Sequence, residues 1–151
     1  MVVLEDIIEI NNSPEKVFEF FLNMDKERYI SWHPQDHVEF RFEKGSRIEE
    51  GAVAYFEEYI HGELHKMKVV YTNIIPNRLI EFKLTNRFWR IFLTKSTFLI
   101  EPKNGGCIFK AYNYFRLGPI SSRSEKVKIQ FETVKKHMKE EGLNLKKIME
   151  G

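Results

Sequence analysis

Residues 122–150 read SRSEKVKIQFETVKKHMKEEGLNLKKIME. Within them Val127, Phe131, Val134, Met138, Gly142, Leu145 and Met149 recur at steps of four and three, the period of a helix with one apolar stripe. Lys126, Lys128, Lys135, Lys136, Lys139, Lys146 and Lys147 fill much of the remaining circumference. At about 1.5 Å per residue such a helix is roughly 40 Å long, enough to cross a small domain. Gly118 and Pro119 break the preceding segment, and Ser122-x-x-Glu125 reads as a capping box. A stripe of this length must be buried against something, and nearly everything upstream reads as strand. The expected fold is α+β: an antiparallel sheet closed around one long C-terminal helix.

Gly142 lies on the apolar stripe itself. A glycine inside a helix costs about 1 kcal/mol relative to alanine, so its position has a packing or a functional reason. One reading is a close approach of helix to sheet. The other is space for a ligand beneath the helix.

Upstream, residues 2–11 predict a strand with Val2, Leu4, Ile8 and Ile10 on one face and Asp6 interrupting that face. Ser13-Pro14-Glu15 is a helix start: a capping serine, proline at the first position, then an acid for the dipole. Val17, Phe18, Phe21 and Leu22 form its apolar face, and Asp25 is placed to cap a second short helix towards Ile30. Trp32, His33 and Pro34 then fall in a loop. The next strand alternates, with Val38, Phe40 and Phe42 on one face and His37, Glu39, Arg41 and Glu43 on the other.

Hairpins organise the rest. His61-Gly62 joins strands 52–60 and 63–75, Pro76-Asn77 leads into 78–84, and Asn104-Gly105-Gly106 joins 96–101 to 107–115. Cross-strand partners point the same way, so a two-residue turn at 76–77 pairs Tyr71 with Phe82, Val69 with Leu84 and Thr72 with Glu81. The turn at 61–62 independently pairs Phe56 with Met67 and Glu58 with His65. Both turns select one inner face, which carries Phe56, Glu58, His65, Met67, Tyr71 and Phe82. The last hairpin adds Ser96, Phe98, Asn113 and Phe115 to it. With the first strand the sheet has seven strands, and two short helices follow strand 1.

A chain of 151 residues suits one domain, spanning 1–151, with a core of its own. Thirteen Phe is a high count and fits a wide apolar interior or a lined cavity. The net charge of +2 hides an asymmetry: residues 1–60 carry 14 Asp/Glu against 6 Lys/Arg, and the remainder carry 8 against 18. Much of the basic excess sits on the polar face of the last helix, read first as a solvated face and secondarily as a weak membrane-surface contact. The single cysteine, Cys107, leaves no internal disulfide and fits a reducing compartment. Met1 leads into alternating sequence rather than an apolar signal, so a cytoplasmic location is expected.

The chain resembles the START-like, or helix-grip, superfamily, which includes plant pathogenesis-related allergens, lipid-transfer START domains and polyketide cyclase-like (SRPBCC) proteins. The likeness is carried by Ile10-Asn11-Asn12-Ser13-Pro14-Glu15-Lys16-Val17-Phe18, by Trp32 after the second helix, and by the strand run with its terminal helix. It implies a curved seven-stranded antiparallel sheet gripping the C-terminal helix, with an apolar cavity between them. It assigns no catalytic residue, because carriers, receptors and enzymes share the scaffold.

Two functional expectations follow. The first is binding or transport of a small hydrophobic ligand, such as a lipid, an isoprenoid or an aromatic polyketide, against Phe56, Met67, Tyr71, Phe82, Phe98 and Asn113 of the sheet. Phe131, Met138 and Gly142 of the helix would complete that site. The competing expectation is a cyclase- or hydrolase-type enzyme in which Glu58 and His65 act as an acid–base pair inside the cavity. The same pair is also explained as an ion pair that holds a ligand's polar head, or as a solvated hairpin end. Trp32 and Trp89, on two connections, are expected to gate the mouth, with Trp89 partly exposed near Gly142. Residues 85–95 are read first as a continued strand, with a cavity cap or membrane contact as alternatives.

His33, Asp36 and His37 in one loop and His61 and His65 in one hairpin invite a zinc reading, but metal is set aside for His61 and His65 acting together, because residues i and i+4 of a strand are about 13 Å apart. A site drawing one histidine from each element stays open, but no metal and no cofactor is expected. No phosphate-binding glycine loop and no base-stacking platform is present, so nucleic acid is not an expected partner.

Overall fold

The computed structural model describes residues Met1–Gly151. Its strands are β1 (Val2–Ile10), β2 (His37–Lys44), β3 (Val53–Ile60), β4 (Glu63–Ile75), β5 (Leu79–Leu84), β6 (Leu93–Lys103) and β7 (Gly106–Phe115). They form one antiparallel sheet in the order β1-β7-β6-β5-β4-β3-β2. Consecutive strands from β2 to β7 are neighbours, and β1 pairs with the last strand, as in Leu4 opposite Asn113. Helices α1 (Pro14–Leu22) and α2 (Lys26–Trp32) follow β1, the short α3 (Arg87–Arg90) and α4 (Pro119–Ser122) come later, and α5 (Glu125–Glu150) ends the chain. The sheet curves around α5 in the helix-grip arrangement.

Local chemistry explains the helix starts. The Ser13 hydroxyl accepts from the Lys16 N–H at 3.2 Å with Pro14 at the first position, and Asp25 caps α2 through the Arg28 N–H at 2.8 Å. α2 runs two residues beyond Ile30, so Trp32 is its last residue rather than part of a loop. The predicted capping box of α5 does not form. Gly118-Pro119 starts a separate turn of helix, α4, which ends at Ser122, whose hydroxyl donates to the Pro119 carbonyl at 3.0 Å. Ser124 takes the cap position of α5 without a side-chain bond.

His61 and Gly62 both have positive φ, 59° and 75°, as a two-residue hairpin turn requires. The β3–β4 register follows, with Phe56 opposite Met67 and Glu58 opposite His65. The next hairpin differs. Its loop has three residues, which shifts Glu81 opposite Asn73 instead of Thr72, and a bulge at Thr72 then restores Tyr71 opposite Phe82 and Val69 opposite Leu84.

A second bulge falls between His37 and Glu39 of β2. The extra residue breaks the alternation, and His37 is buried on the same side as Phe40 rather than exposed with Arg41. Residues 85–92 also depart from the continued strand. Asn86 caps α3 by accepting from the N–H groups of Phe88 and Trp89, and pairing resumes only at Leu93.

The core holds Phe21 and Phe109, stacked at 5.6 Å, with Ile10, Ile80, Ile100 and Leu145. On α5 the buried residues are His137, Met138, Gly142 and Leu145, while Phe131 meets Phe115 at 4.9 Å. Gly142 packs against Asp6 and Ile8 of β1. The close-approach reading therefore applies, and ligand space under Gly142 is not what the fold provides.

Candidate functional site

Between the sheet and α5, from Lys126 to Glu141 of the helix, lies a cavity of about 1580 Å³. Of its 43 lining residues 27 are hydrophobic, so it suits a largely apolar molecule. Phe56, Met67, Tyr71, Phe82 and Phe98 line it from the sheet, and Phe131, Val134 and Met138 from the helix. The hairpins put these sheet residues on one face, and the α5 stripe supplies the opposite wall.

Some of the polar lining groups are paired with one another. Ser96 Oγ donates to Asn113 Oδ1 at 2.5 Å, and Asn113 Nδ2 approaches Met138 Sδ at 3.3 Å, which joins β6, β7 and α5 inside the cavity. Tyr71 is buried, and burial pushes its phenol well up.

At one end Glu58, His137 and Glu141 face the cavity. Glu58 Oε2 lies 3.4 Å from His37 Nε2 and 3.3 Å from His137 Nε2, and it accepts from the Tyr29 hydroxyl at 3.0 Å. Glu141 Oε2 lies 2.9 Å from His37 Nε2 and 3.4 Å from His137 Nε2. His37 Nδ1 donates to the Tyr29 carbonyl at 2.8 Å, and the two rings stack at 3.8 Å. His137 Nδ1 faces Asp36 Oδ2 at 3.1 Å.

Burial alone would lower the pKa of both imidazoles. Hydrogen bonding to Glu141 and Glu58 carries His37 up to about 9, and the charges of Glu141 and Glu58 carry His137 up to about 12. Burial would likewise raise the two carboxyls, but the imidazoles of His137 and His37 hold both below the ordinary range. Burial, then the charges of Glu58 and Glu141, push the Tyr29 phenol up.

The Glu58–His65 pair is not formed. Although the residues are cross-strand partners, no ion pair or hydrogen bond joins them, and the Glu58 carboxylate turns to His37, His137 and Tyr29. His65 is half-buried at the cavity wall. Trp32 is also a wall rather than a gate: it is 5 % exposed, and its indole N–H donates to the Glu141 carbonyl at 2.9 Å. Gly142 does not line the cavity. Trp89 both lines the cavity and is 55 % exposed, with its ring 6.1 Å from that of Phe92.

Sequence reasoning missed His137 and Glu141, and it put His37 on the wrong face. The available signal was the spacing of His137 and Glu141, one turn apart beside Met138 on the apolar stripe. No helix is long and apolar enough to cross a membrane.

The family model described as Activator of Hsp90 ATPase homolog 1-like protein matches residues 11–150. No curated protein sequence matches the chain. Among solved structures, the KanY protein superposes with a TM-score of 0.76 at 17% identity, over 99% of this chain and 98% of that one. A major latex-like protein from Panax ginseng superposes with a TM-score of 0.70 at 13% identity, over 98% and 97%. The di-domain ARO/CYC BexL from the BE-7585A biosynthetic pathway does so with a TM-score of 0.72 at 12% identity, over 99% of this chain and 50% of that one. At these identities the likeness is one of fold.

Proposed function

The chain belongs to the Activator of Hsp90 ATPase homolog 1-like family, within the START-like helix-grip superfamily, and from that premise we propose that it binds a small, largely apolar molecule between sheet and helix. The observation that carries this is the Phe-lined cavity of about 1580 Å³, most of whose lining residues are hydrophobic, with the hydrogen-bonded pair Ser96 and Asn113 among its polar groups. Apolar surface supplies the affinity, and polar groups such as Ser96 and Asn113 orient the guest. The lipid, isoprenoid and aromatic polyketide classes all fit this description. The fold likeness to the ARO/CYC protein BexL makes the last a natural first panel for screening.

The test is displacement of an apolar fluorescent probe, together with native mass spectrometry of the gently purified chain. Met67→Trp puts a larger side chain into the cavity from β4 and is expected to lower probe uptake at least tenfold while the circular dichroism is kept. Undiminished uptake in that variant would place binding elsewhere.

Acid–base catalysis on the bound molecule is the second reading, and it has less support. Glu58 is engaged by two imidazoles and a phenol, so the carboxylate is not free to serve His65.

A further inference from the structure

We propose that His37, Glu58, His137 and Glu141 bind one divalent transition-metal ion of the zinc class, which clasps β2 and β3 to α5 at the polar end of the cavity. The proposal rests on this cluster alone and stands whether or not an apolar molecule fills the cavity.

The first support is distance. One ligand atom from each of His37, His137, Glu58 and Glu141 lies within 4.8 Å of the other three. The four nitrogen–oxygen edges are 2.9, 3.3, 3.4 and 3.4 Å. An ion with four bonds of about 2.0 Å in a tetrahedron sets its ligand atoms about 3.3 Å apart. Two helix residues one turn apart supply half the set, and neighbouring strands supply the other half.

The second support is the outer layer. A metal-bound histidine usually donates its other ring N–H to a carbonyl or carboxylate, which fixes the tautomer and aims the free lone pair. Both histidines are held so. His37 Nδ1 donates to the Tyr29 carbonyl and His137 Nδ1 to Asp36, which leaves both Nε2 atoms on the side of the Glu58 and Glu141 carboxylates, where His37 Nε2 hydrogen-bonds Glu141 Oε2 at 2.9 Å. Glu58 is held in turn by the Tyr29 hydroxyl.

The third is an orphan. His137 Nε2 is buried without a hydrogen-bond partner, although two carboxylate oxygens stand 3.3 and 3.4 Å away. Its N–H direction meets neither oxygen. A buried polar atom in that condition is destabilising, and a cation at the centre removes the deficit.

Ligand chemistry narrows the ion. Calcium and magnesium take oxygen sets, whereas two imidazoles with two carboxylates suit zinc and its neighbours. The two carboxylate charges balance a divalent ion, and the imidazoles enter neutral, so binding releases their Nε2 protons and strengthens as pH rises. Four protein ligands complete the tetrahedron, which makes the site a closed clasp and not a position for substrate.

The experiment strips the chain with a chelator, confirms that it is folded, and titrates it with Zn²⁺ by calorimetry and with Co²⁺ by visible absorption. One equivalent per chain, a higher melting temperature and the absorption of tetrahedral cobalt are expected. Glu141→Gln should weaken binding at least tenfold, Asp36→Asn about tenfold through the outer layer, and His61→Ala should leave it unchanged. No stoichiometric uptake by the folded wild type overturns the proposal. So does uptake that persists undiminished in His37→Ala and His137→Ala, which would mark surface histidines as the binders. Should a variant fail to fold, the wild-type stoichiometry and cobalt spectrum decide alone.

Discussion

Asp6 of β1 stands directly beneath Gly142 of α5: a Cβ added at Gly142 would lie 2.6 Å from the Asp6 Oδ2 atom. A helix glycine is thereby explained by a carboxylate on the facing strand. Gly142→Ala gains about 1 kcal/mol of helix propensity but must push the carboxylate aside. The single variant is expected within about 1 kcal/mol of wild type in urea unfolding, whereas in an Asp6→Ala background the same change should stabilise by about 1 kcal/mol. Equal effects in the two backgrounds would show that the residues do not interact.

Asp6 should also make stability depend on pH. Burial raises its pKa, with Glu141 adding and Lys139 opposing. A raised carboxyl holds its proton more tightly folded than unfolded, so its contribution is complete below the unfolded pKa and lost as pH rises through the folded one. At neutral pH Asp6 is therefore a liability. Asp6→Asn should raise the melting temperature there, and the gain should shrink towards about pH 4, the ordinary aspartate range. A gain that grows on acidification contradicts this sign.

The two tryptophans should behave oppositely. Trp32 is buried among Phe20, Phe21 and Phe98, with ring centroids 5.3–6.2 Å away, and Trp32→Ala is expected to cost about 3–5 kcal/mol in denaturant unfolding.

Trp89, more than half exposed and on the cavity wall, should lose less than about 1 kcal/mol on truncation to alanine. Its signature is kinetic. Stopped-flow uptake and release of an apolar probe should both quicken in Trp89→Ala, with a smaller change in affinity. Unchanged rates would place the gate elsewhere.

Tyr29→Phe keeps the ring that stacks on His37 and removes only the hydroxyl donated to Glu58. A hydrogen bond to a buried charged group is worth about 1.5–3 kcal/mol, which is the expected loss in chemical denaturation. A variant as stable as wild type would mean that the two imidazoles alone satisfy the carboxylate.

What the sequence determined by itself was local and periodic. The stripe from Phe131 to Met149 specifies a helix and its buried side, Ser13-Pro14 specifies where α1 begins, and His61-Gly62 specifies the β3–β4 register, so the inner face from Phe56 to Tyr71 was legible. Periodicity encodes faces because side-chain direction repeats with the backbone. What only the tertiary structure decided was every feature that breaks the period or joins distant elements. The bulge at Val38 carries no local mark, yet it turns His37 inward. His137 and Glu141 meet His37 and Glu58 only because α5 crosses the sheet at that point, a packing outcome about a hundred residues away in the chain. Glu58 and His65 are opposite in register but apart in contact, because a buried carboxylate turns to whichever donors enclose it, and those donors come from α2, β2 and α5.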